Sequence, residues 1–374
     1  MSNTEMTVPF LDLKTQNRAA WHELKVIIES LVGEAQFILG THVQAFERSF
    51  AAFCGAKHCV GVNNGTTALH MALVAFDIVA GDEVITTPHS WISTSWAIAY
   101  TGATPVFVDI DRNSYNLDPN LVEAAITSRT KAVLPVHLYG HAADMTALRD
   151  ICERHNLRLI EDAAQAHGAQ HAGQTVGSIG NAGCFSFYPG KNLGAFGEAG
   201  AVTTNSDQVA ARVRRLRDHA QDGRHNHVEI GYNTRMEGLQ GAVLDVKLRH
   251  LADWSEQRRK HADYYLENLN DVPGLTLPHV TDPLSHVWHL FVVLVNDRDQ
   301  FRAELEKKGV STGVHYPTPI PYQPAFKHLG YQRGQFPVTE DVMSRCVSLP
   351  MFPELTTEQR DYVVVKIREV IGGR

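Results

Sequence analysis

The chain has 374 residues, of which 44% are hydrophobic and 20% charged, and its formal net charge is −7. Because a domain holds roughly 100 to 200 residues, this length predicts two domains, or one large α/β domain with an appendage. The acidic balance argues against a nucleic acid or an anionic membrane as partner, since either would require a basic face.

The N-terminus and the cysteines both indicate the reducing cytoplasm. Residues 1–10 include an acid, carry no Lys or Arg and lack the apolar core of a secretory signal. No apolar run reaches the roughly 18 residues of a membrane span. The five cysteines are an odd number without CxxC spacing, so we expect free thiols and a cytoplasmic protein.

The first half of the chain predicts a layered α/β fold. A helical segment at 14–39 is expected to end at Gly40, and the chain then alternates apolar runs with helical patterns up to residue 204. This alternation predicts a mostly parallel sheet with helices on both faces, with ligands at the carboxyl ends of its strands. The predicted strands are 58–62, 83–86, 104–108, 132–136, 157–160, 183–187 and 201–204, and the helices between them are 66–76, 92–101, 120–125 and 145–155.

The second half predicts long helices followed by a smaller α+β unit. Helical patterns at 208–219 and 239–269 are followed by a Val-Pro-Gly break, a strand at 287–295 and a helix at 298–308. A Pro-rich loop at 316–322 and a closing helix at 357–371 complete the chain. We predict a large domain with an N-terminal helical segment over residues 1–250 and a small C-terminal domain over residues 251–374.

One lysine stands in a loop suited to covalent chemistry. Lys191 lies in YPGKNLGAFGEAG (188–200), where the glycines allow a ligand to approach the backbone closely. Desolvation would lower its pKa and free a neutral amine to condense with an aldehyde. A lone lysine of this kind is more often an exposed loop residue, so the neighbouring motifs decide the interpretation.

Asp162 and Gln165 follow a strand-like run at the predicted ligand-binding edge. A carboxylate there can keep a pyridine nitrogen protonated, and an amide three residues later can hydrogen-bond the phenolic oxygen of the same ring. The alternative is a helix N-cap aspartate followed by a solvated glutamine. Read together with Lys191, the two residues suggest pyridoxal phosphate.

Further motifs offer groups for a phosphate and a flat ring. Gly65 and Thr66 open a predicted helix whose free N–H groups would face a phosphate, although the same pattern is an ordinary N-cap in many proteins. Ser186 is a further candidate phosphate ligand. Trp91 is suited to stacking on a ring, or to a core or interface position.

Two C-terminal segments are candidates for substrate contacts. The segment GYNTRM (231–236) lies between predicted helices and carries Asn233 and Arg235. These side chains are candidates to bind a phosphate or a substrate anion, either in the same subunit or across a subunit boundary. HYPTPIPY (315–322) offers His315 and Tyr316, or forms a stiff surface loop. Neither GxGxxG nor a P-loop motif occurs, so the sequence lacks the fingerprints of the nucleotide-binding folds. The 20 histidines show no zinc-binding pattern, so we expect no metal.

In this order the motifs resemble those of the pyridoxal-phosphate sugar aminotransferases of the DegT/DnrJ/EryC1/StrS family. The resemblance covers nearly the whole chain and implies the aspartate-aminotransferase fold, known as fold type I. It is carried by VPFLDL (8–13), FILG (37–40), NGTTAL (64–69), EDAAQ (161–165), SFYPGK (186–191), GYNTRM (231–236) and VHYP (314–317).

The resemblance implies a role for each matching residue. Lys191 would form the Schiff base with pyridoxal phosphate and move protons during catalysis, and Asp162 and Gln165 would contact the ring. Asn233 would reach the cofactor from the other subunit of a homodimer that shares its active sites. The remaining expected contacts are Trp91 on the ring, Gly65, Thr66 and Ser186 at the phosphate, and Tyr188, Arg235, His315 and Tyr316 at the substrate.

The implied reaction is a transamination in two halves. L-glutamate would give up its amino group and leave as 2-oxoglutarate, and a nucleotide-linked keto-sugar would receive it. The segment YPGKNLGA (188–195) favours a 3-keto sugar, and the presence of Lys191 favours transamination over the dehydration catalysed by relatives that replace this lysine. A 4-keto-sugar or cyclitol aminotransferase is an alternative, as is a regulatory protein that binds the cofactor without turnover. Two departures from the family pattern, Asn64 for Ser and Ala199 for Gly, bear on the phosphate contacts and on the loop after Lys191.

Overall fold

A computed structural model describes residues 6–280 and 282–373. Strands form where apolar and β-branched residues run together, and those of the large sheet are mostly buried. The strands are β1 (His58–Val62), β2 (Glu83–Thr86), β3 (Thr104–Phe107), β4 (Thr130–Leu134), β5 (Arg158–Asp162), β6 (Gln170–His171), β7 (Gln174–Thr175), β8 (Ala182–Ser186), β9 (Gly200–Thr204), β10 (Leu275–Thr276), β11 (Phe291–Val295) and β12 (Cys346–Leu349).

The helices flank these strands and are often capped by a side chain that accepts an N–H bond of the first turn. They are α1 (Leu13–Ala19), α2 (Trp21–Glu34), α3 (Gly40–Cys54), α4 (Gly65–Ala75), α5 (Ser93–Tyr100), α6 (Pro119–Val122), α7 (Met145–Arg154), α8 (Asp207–Arg217), α9 (Gly238–Leu248), α10 (Leu251–Leu269), α11 (Arg298–Lys307), α12 (Pro337–Arg345) and α13 (Thr357–Gly372).

The large sheet has the strand order β1-β9-β8-β5-β4-β2-β3. Its pairs are parallel except for those of β9, which runs antiparallel to β1 and β8. Each of the seven apolar runs is a strand of this sheet, so the predicted mostly parallel architecture is confirmed. The carboxyl ends of β5 and β8 therefore lie side by side, with Asp162 at the end of one and Ser186 at the end of the other.

Helices cover both faces of the sheet, as the alternation along β8 illustrates. Ala182 and Cys184 pack in the cluster that contains residues of α4 and α8. Phe185 faces the opposite side, where it packs with Phe46 and Phe50 of α3. The sheet is thus a buried middle layer, which favours ligand binding at the carboxyl ends of its strands.

Two helix predictions are wrong in their boundaries. The chain from 14 to 39 is split into α1 and α2, and Gly40 begins α3 instead of ending a helix. Ala35, with φ 53°, ends α2, and Val43, Phe46 and Phe50 give α3 the buried face that the prediction missed. The predicted helix 239–269 is also split, at Arg249-His250, where no Gly or Pro marks the break. The predicted strand 287–295 begins only at Phe291.

A second, antiparallel sheet of order β10-β11-β12 lies in the C-terminal part. It packs with α10, α11 and α13 around Tyr265, Phe291, Phe301 and Ile367. The division of the chain after residue 250 stays a prediction. In the described part of the chain, no helix is both long and apolar enough to cross a membrane.

The buried carboxylate of Asp109 connects the large sheet to α12. Asp109, which follows β3, accepts the N–H groups of Val338 and Thr339 at 2.9 and 3.0 Å, and the Thr339 hydroxyl at 2.6 Å. These donors lie in the first turn of α12, so Asp109 holds the start of that helix against the large sheet.

Candidate active site

A cavity of about 760 Å³ opens at the carboxyl ends of β5 and β8. It lies between the start of α4, the loop after β8 and segments of the C-terminal part. This is the edge at which the strand pattern predicted a ligand. The wall brings together ten predicted site residues, namely Gly65, Thr66, Trp91, Asp162, Gln165, Ser186, Tyr188, Lys191, His315 and Tyr316.

Lys191 sits in a tight turn at one wall of this cavity. Its N–H donates to Tyr188 O at 2.8 Å, and a Cβ at Gly194 would lie 2.2 Å from Pro189 O, so the turn closes only with glycine there. Burial lowers the pKa of Lys191 to about 8, although Asp162 opposes the shift. Among the described residues, the Lys191 amine has no hydrogen-bond partner. An amine of this pKa is largely uncharged in mildly alkaline solution, where it can act as a nucleophile.

Asp162 is a buried carboxylate with neutral hydrogen-bond donors. Its side chain is 4% exposed, and it accepts the Thr94 hydroxyl at 2.8 Å and the Ala164 N–H at 3.2 Å. Burial raises its pKa, and no salt bridge to it exists within the described part of the chain. A desolvated carboxylate of this kind is best compensated by a ligand cation, and the protonated nitrogen of a pyridine ring is one.

Gln165 presents its amide nitrogen, not its carbonyl, to the cavity side. Its Oε1 accepts the Tyr139 N–H at 2.7 Å, and its Nε2 donates to Tyr316 Oη at 3.1 Å. Because the carbonyl is already engaged by the backbone, the amide orientation is fixed. The remaining N–H can donate to an oxygen of a bound ring.

The start of α4 forms a cradle for an anion. Asn64 caps the helix by accepting the Thr67 N–H at 2.8 Å, which leaves the N–H groups of Gly65 and Thr66 for a ligand. The Thr66 hydroxyl donates to Ser93 Oγ at 2.8 Å. A Cβ on Gly65 would lie 2.6 Å from Ser186 Cβ, so only glycine lets that serine close on the helix start. Asn64, which departs from the family pattern, thus still caps the helix.

Three histidines near Lys191, of which His167 is fully buried and His289 and His315 are partly buried, are held neutral. Burial lowers the pKa of His167 to about 3 and that of His315 to about 4, and the pKa of His289 falls well below its usual range. The positive charge of Lys191 adds to each shift. The histidines therefore supply hydrogen-bonding groups without adding positive charge to the cavity.

Residues 20–368 match the model of the DegT/DnrJ/EryC1/StrS aminotransferase family. The chain belongs to this family. The resemblance inferred from the motifs is thereby confirmed, together with the aminotransferase class and fold type I.

Relatives of this aminotransferase are similar over nearly their whole length. One, a "dTDP-3-amino-3,4,6-trideoxy-alpha-D-glucose transaminase" of Streptomyces venezuelae, is 43% identical over 362 residues, which are 97% of this chain and 96% of the relative. Another, a "Pleiotropic regulatory protein" of Geobacillus stearothermophilus, is 45% identical over 97% of this chain and 98% of its own. The crystal structure of DesV from S. venezuelae has a TM-score of 0.95 and 43% identity, covering 97% of this chain and 98% of that chain.

Two predicted site residues of this aminotransferase lie elsewhere. Arg235 donates to Asp218 Oδ1 at 2.8 Å and to Asn233 Oδ1 at 2.6 Å, so its guanidinium is engaged within the chain. Asn233 is exposed. Neither is among the described residues that line the cavity. Their roles at cofactor and substrate, which for Asn233 require a partner subunit, stay predictions.

The structure also adds residues that the sequence analysis missed. Thr94, in the first turn of α5, bonds Asp162, and the hydroxyl-rich run that follows β2 was the available signal. Tyr139 and Arg258 gave no such signal, because their positions depend on packing between distant segments. Further cavity residues that went unpredicted are Phe10, Leu11, Ser93, Glu198, His289 and Met351.

Proposed function

We propose that this aminotransferase moves the amino group of L-glutamate to carbon 3 of a nucleotide-linked keto-sugar, with pyridoxal phosphate as cofactor. The observation that carries the proposal is one cavity that combines a lysine of lowered pKa, a buried carboxylate without a cationic partner and a helix start open to an anion. These three features match the aldehyde, the ring nitrogen and the phosphate of that cofactor.

The same residues would hold the cofactor when it binds. Lys191 would bond its aldehyde carbon, Asp162 its ring nitrogen and Gln165 its phenolic oxygen, while the cradle of Gly65, Thr66 and Ser186 would take the phosphate. Trp91 borders the cavity and is suited to cover the ring. When bound, pyridoxal phosphate supplies an electron-accepting ring that stabilises the charge left when a proton leaves the amino-bearing carbon.

The proposed proton transfers belong to Lys191. With a pKa of about 8, its amine exists in both protonation states near neutral pH. It can therefore take a proton from the donor's carbon and return one to the acceptor's carbon. The nearby neutral histidines do not compete for that role as cations, and the apolar side chains of Phe10, Leu11 and Met351 reduce the access of water.

The sugar end of the cavity supports the choice of substrate class. Tyr188 is 55% exposed at the rim, and His315 stacks on Phe10 with ring centroids 5.7 Å apart. Tyr316 lies deeper, bonded to Gln165. We propose that these residues contact the keto-sugar, with Arg235 as a further candidate. The 3-keto assignment is supported by the lysine segment and by the name of the S. venezuelae relative.

We further propose a homodimer with shared active sites. Large apolar side chains are exposed around the cavity rim and on α5, among them Trp91 at 57%, Tyr100 at 58% and Trp96 at 38%. Ile230, three residues before the exposed Asn233, is 89% exposed. A second copy that covers these surfaces would bring its Asn233 towards the neighbouring cavity. Sedimentation or light scattering at micromolar concentration tests the dimer.

A regulatory protein is the second candidate, because one relative carries that description. It would bind the cofactor without turnover. The visible absorption of the purified protein, before and after L-glutamate is added without sugar, separates the two. Bleaching with release of 2-oxoglutarate is expected of the enzyme, whereas an unchanged spectrum would contradict glutamate-dependent transamination. A nucleotide-linked 3-ketone and its 4-keto isomer, offered in turn, then test the position of amination.

The lysine assignment has a matched control. Lys191→Ala is expected to abolish both the covalent retention of cofactor and the release of 2-oxoglutarate. Lys247 is buried and its pKa is likewise lowered to about 8, but it donates to Gly194 O at 2.9 Å and is not among the described residues that line the cavity. Lys247→Met should therefore keep the covalent cofactor, even if it lowers stability. Covalent retention by Lys191→Ala would refute the role of Lys191.

A further inference from the structure

Arg258 is a buried cation in the cavity wall that the proposed cofactor site leaves unused. Its side chain is 2% exposed, and it reaches the cavity from the first half of α10. The charged side chains of the wall are Asp162, Glu198, Lys191 and Arg258, since the histidines near Lys191 are neutral. With Lys191 committed to the cofactor, Arg258 is the wall cation that remains for a substrate anion.

The hydrogen bonds of Arg258 fix its orientation. Its Nη1 donates to Trp288 O at 3.1 Å and to Met351 O at 2.8 Å, which uses both hydrogens of that nitrogen. Its Nε is shielded from solvent and has no hydrogen-bond partner among the described residues. Its Nη2 also has no hydrogen-bond acceptor within residues 6–280 and 282–373, but unlike Nε it is not shielded from solvent. Nη2 is therefore the end of the guanidinium that a ligand in the cavity can reach.

The charge of Arg258 is not paired directly with a carboxylate of the described residues. No carboxylate of the described residues forms a salt bridge with it, and Glu354 acts only at longer range. Burial lowers the pKa of Arg258 to about 10, which still leaves the group charged at neutral pH. A buried cation without an anion is costly, and a bound carboxylate offsets that cost through a charge-assisted hydrogen bond.

We propose that Arg258 binds a carboxylate of a small-molecule substrate through Nη2. This inference rests on the proposed function, because L-glutamate and 2-oxoglutarate carry carboxylates that must enter the cavity with the reacting carbon near Lys191. Lys191 and Arg258 line the same cavity, so a carboxylate bound at Arg258 shares that cavity with the reacting carbon. A uronic-acid sugar offers the same chemistry, and the experiment separates the two sources.

The test compares Arg258→Gln, Arg258→Lys and the neighbouring control Arg259→Gln in the cofactor-loaded protein. Arg259 pairs with Glu256 and is absent from the cavity wall as described. Calorimetric titrations with glutarate, with dTDP and with a nucleotide-linked uronic acid report binding without turnover. We expect Arg258→Gln to weaken glutarate by about 10- to 100-fold, the effect of one charge-assisted hydrogen bond, and to leave dTDP within about twofold. Arg258→Lys should recover part of the loss, and Arg259→Gln should match the wild type.

Four outcomes decide the inference. Selective loss of glutarate binding supports a donor carboxylate, and selective loss for the uronic acid alone supports a sugar carboxylate. Equal affinity of wild type and Arg258→Gln for both acids would overturn the inference, as would a parallel loss of dTDP and glutarate that Arg258→Lys does not restore. The proposed function is tested separately: it would be contradicted by a wild-type protein that does not release 2-oxoglutarate from L-glutamate.

Discussion

Asp162→Asn is the substitution that best separates cofactor binding from folding. The asparagine keeps the shape of the side chain and can still accept the Thr94 hydroxyl, which lies 2.8 Å from the carboxylate. It removes the charge that would face the ring nitrogen of the cofactor. Removal of one partner from a buried ion pair costs about 3 to 5 kcal/mol. At about 1.4 kcal/mol per tenfold change, cofactor affinity or the rate of transamination should fall by roughly 100- to 4,000-fold.

In the absence of cofactor, Asp162→Asn should favour the folded protein instead of weakening it. Burial raises the pKa of Asp162 above its ordinary value of 3.8, so the folded state holds the proton more tightly than the unfolded chain does. The group therefore favours folding at acid pH, and this contribution is lost as the pH rises through the raised pKa. At pH 7 to 8 the Asp162→Asn apoprotein should be at least as stable as the wild type, and its advantage should shrink as the pH falls towards 4.

Two measurements check this reasoning. Urea unfolding of the apoprotein between pH 4 and pH 8 gives the stability difference, and titration with pyridoxal phosphate, followed by visible absorption, gives the affinity. Glu161→Gln is the control, because Glu161 is buried next to Asp162 but accepts the N–H groups of Gly177, Ile179 and Gly180. It should destabilise the protein with and without cofactor. An Asp162→Asn apoprotein that loses stability at pH 8 while it keeps normal cofactor affinity would refute the proposed role of Asp162.

Three further predictions concern Gly65, Tyr139 and Lys191. Gly65→Ala should cost about 1 to 3 kcal/mol of stability and weaken cofactor binding, because the added Cβ would lie 2.6 Å from Ser186 Cβ. Denaturation measures the loss of stability, and titration with pyridoxal phosphate measures the loss of affinity. Gly33→Ala is the control, because a Cβ there would meet no atom within 4 Å. Tyr139→Phe removes the hydroxyl that hydrogen-bonds His89 Nε2 at 2.9 Å and the His315 carbonyl. In steady-state kinetics, KM for the keto-sugar should therefore rise about tenfold, while the glutamate half-reaction should change little. The rate at which the apoprotein captures pyridoxal phosphate should rise through pH 8, since the pKa of Lys191 is about 8; a rate independent of pH between 6 and 9 would contradict a free-amine nucleophile.

The sequence predicted the elements whose signal is local. The strands of the large sheet are short apolar runs bounded by turn residues, and Asp162 and Ser186 follow from their positions at strand ends. Lys191 and Gly65 were recognisable because glycine spacing and helix-start patterns are written in adjacent residues. For these elements, local pattern and tertiary structure agree.

What could not be predicted depends on contacts between distant segments. The break between α9 and α10 involves Arg249 and His250 in right-handed conformations, which no residue type announces. Arg258 is oriented by carbonyls 30 and 93 residues away, at Trp288 and Met351. Asn233 illustrates a further case, because its predicted contact belongs to a second chain and no single-chain pattern can position it.

The cavity combines these local and distant contributions into one electrostatic arrangement. A histidine cation beside Lys191 would lower the pKa of the lysine further and would compete with the cofactor for Asp162. Burial prevents this by keeping His167, His289 and His315 neutral. Under the proposed function, the two cations of the cavity wall would then have separate tasks, Lys191 in proton transfer and Arg258 in binding a substrate carboxylate. Because both side chains are shielded from water, each interacts more strongly with a bound anion or carbonyl than the same group would at the protein surface.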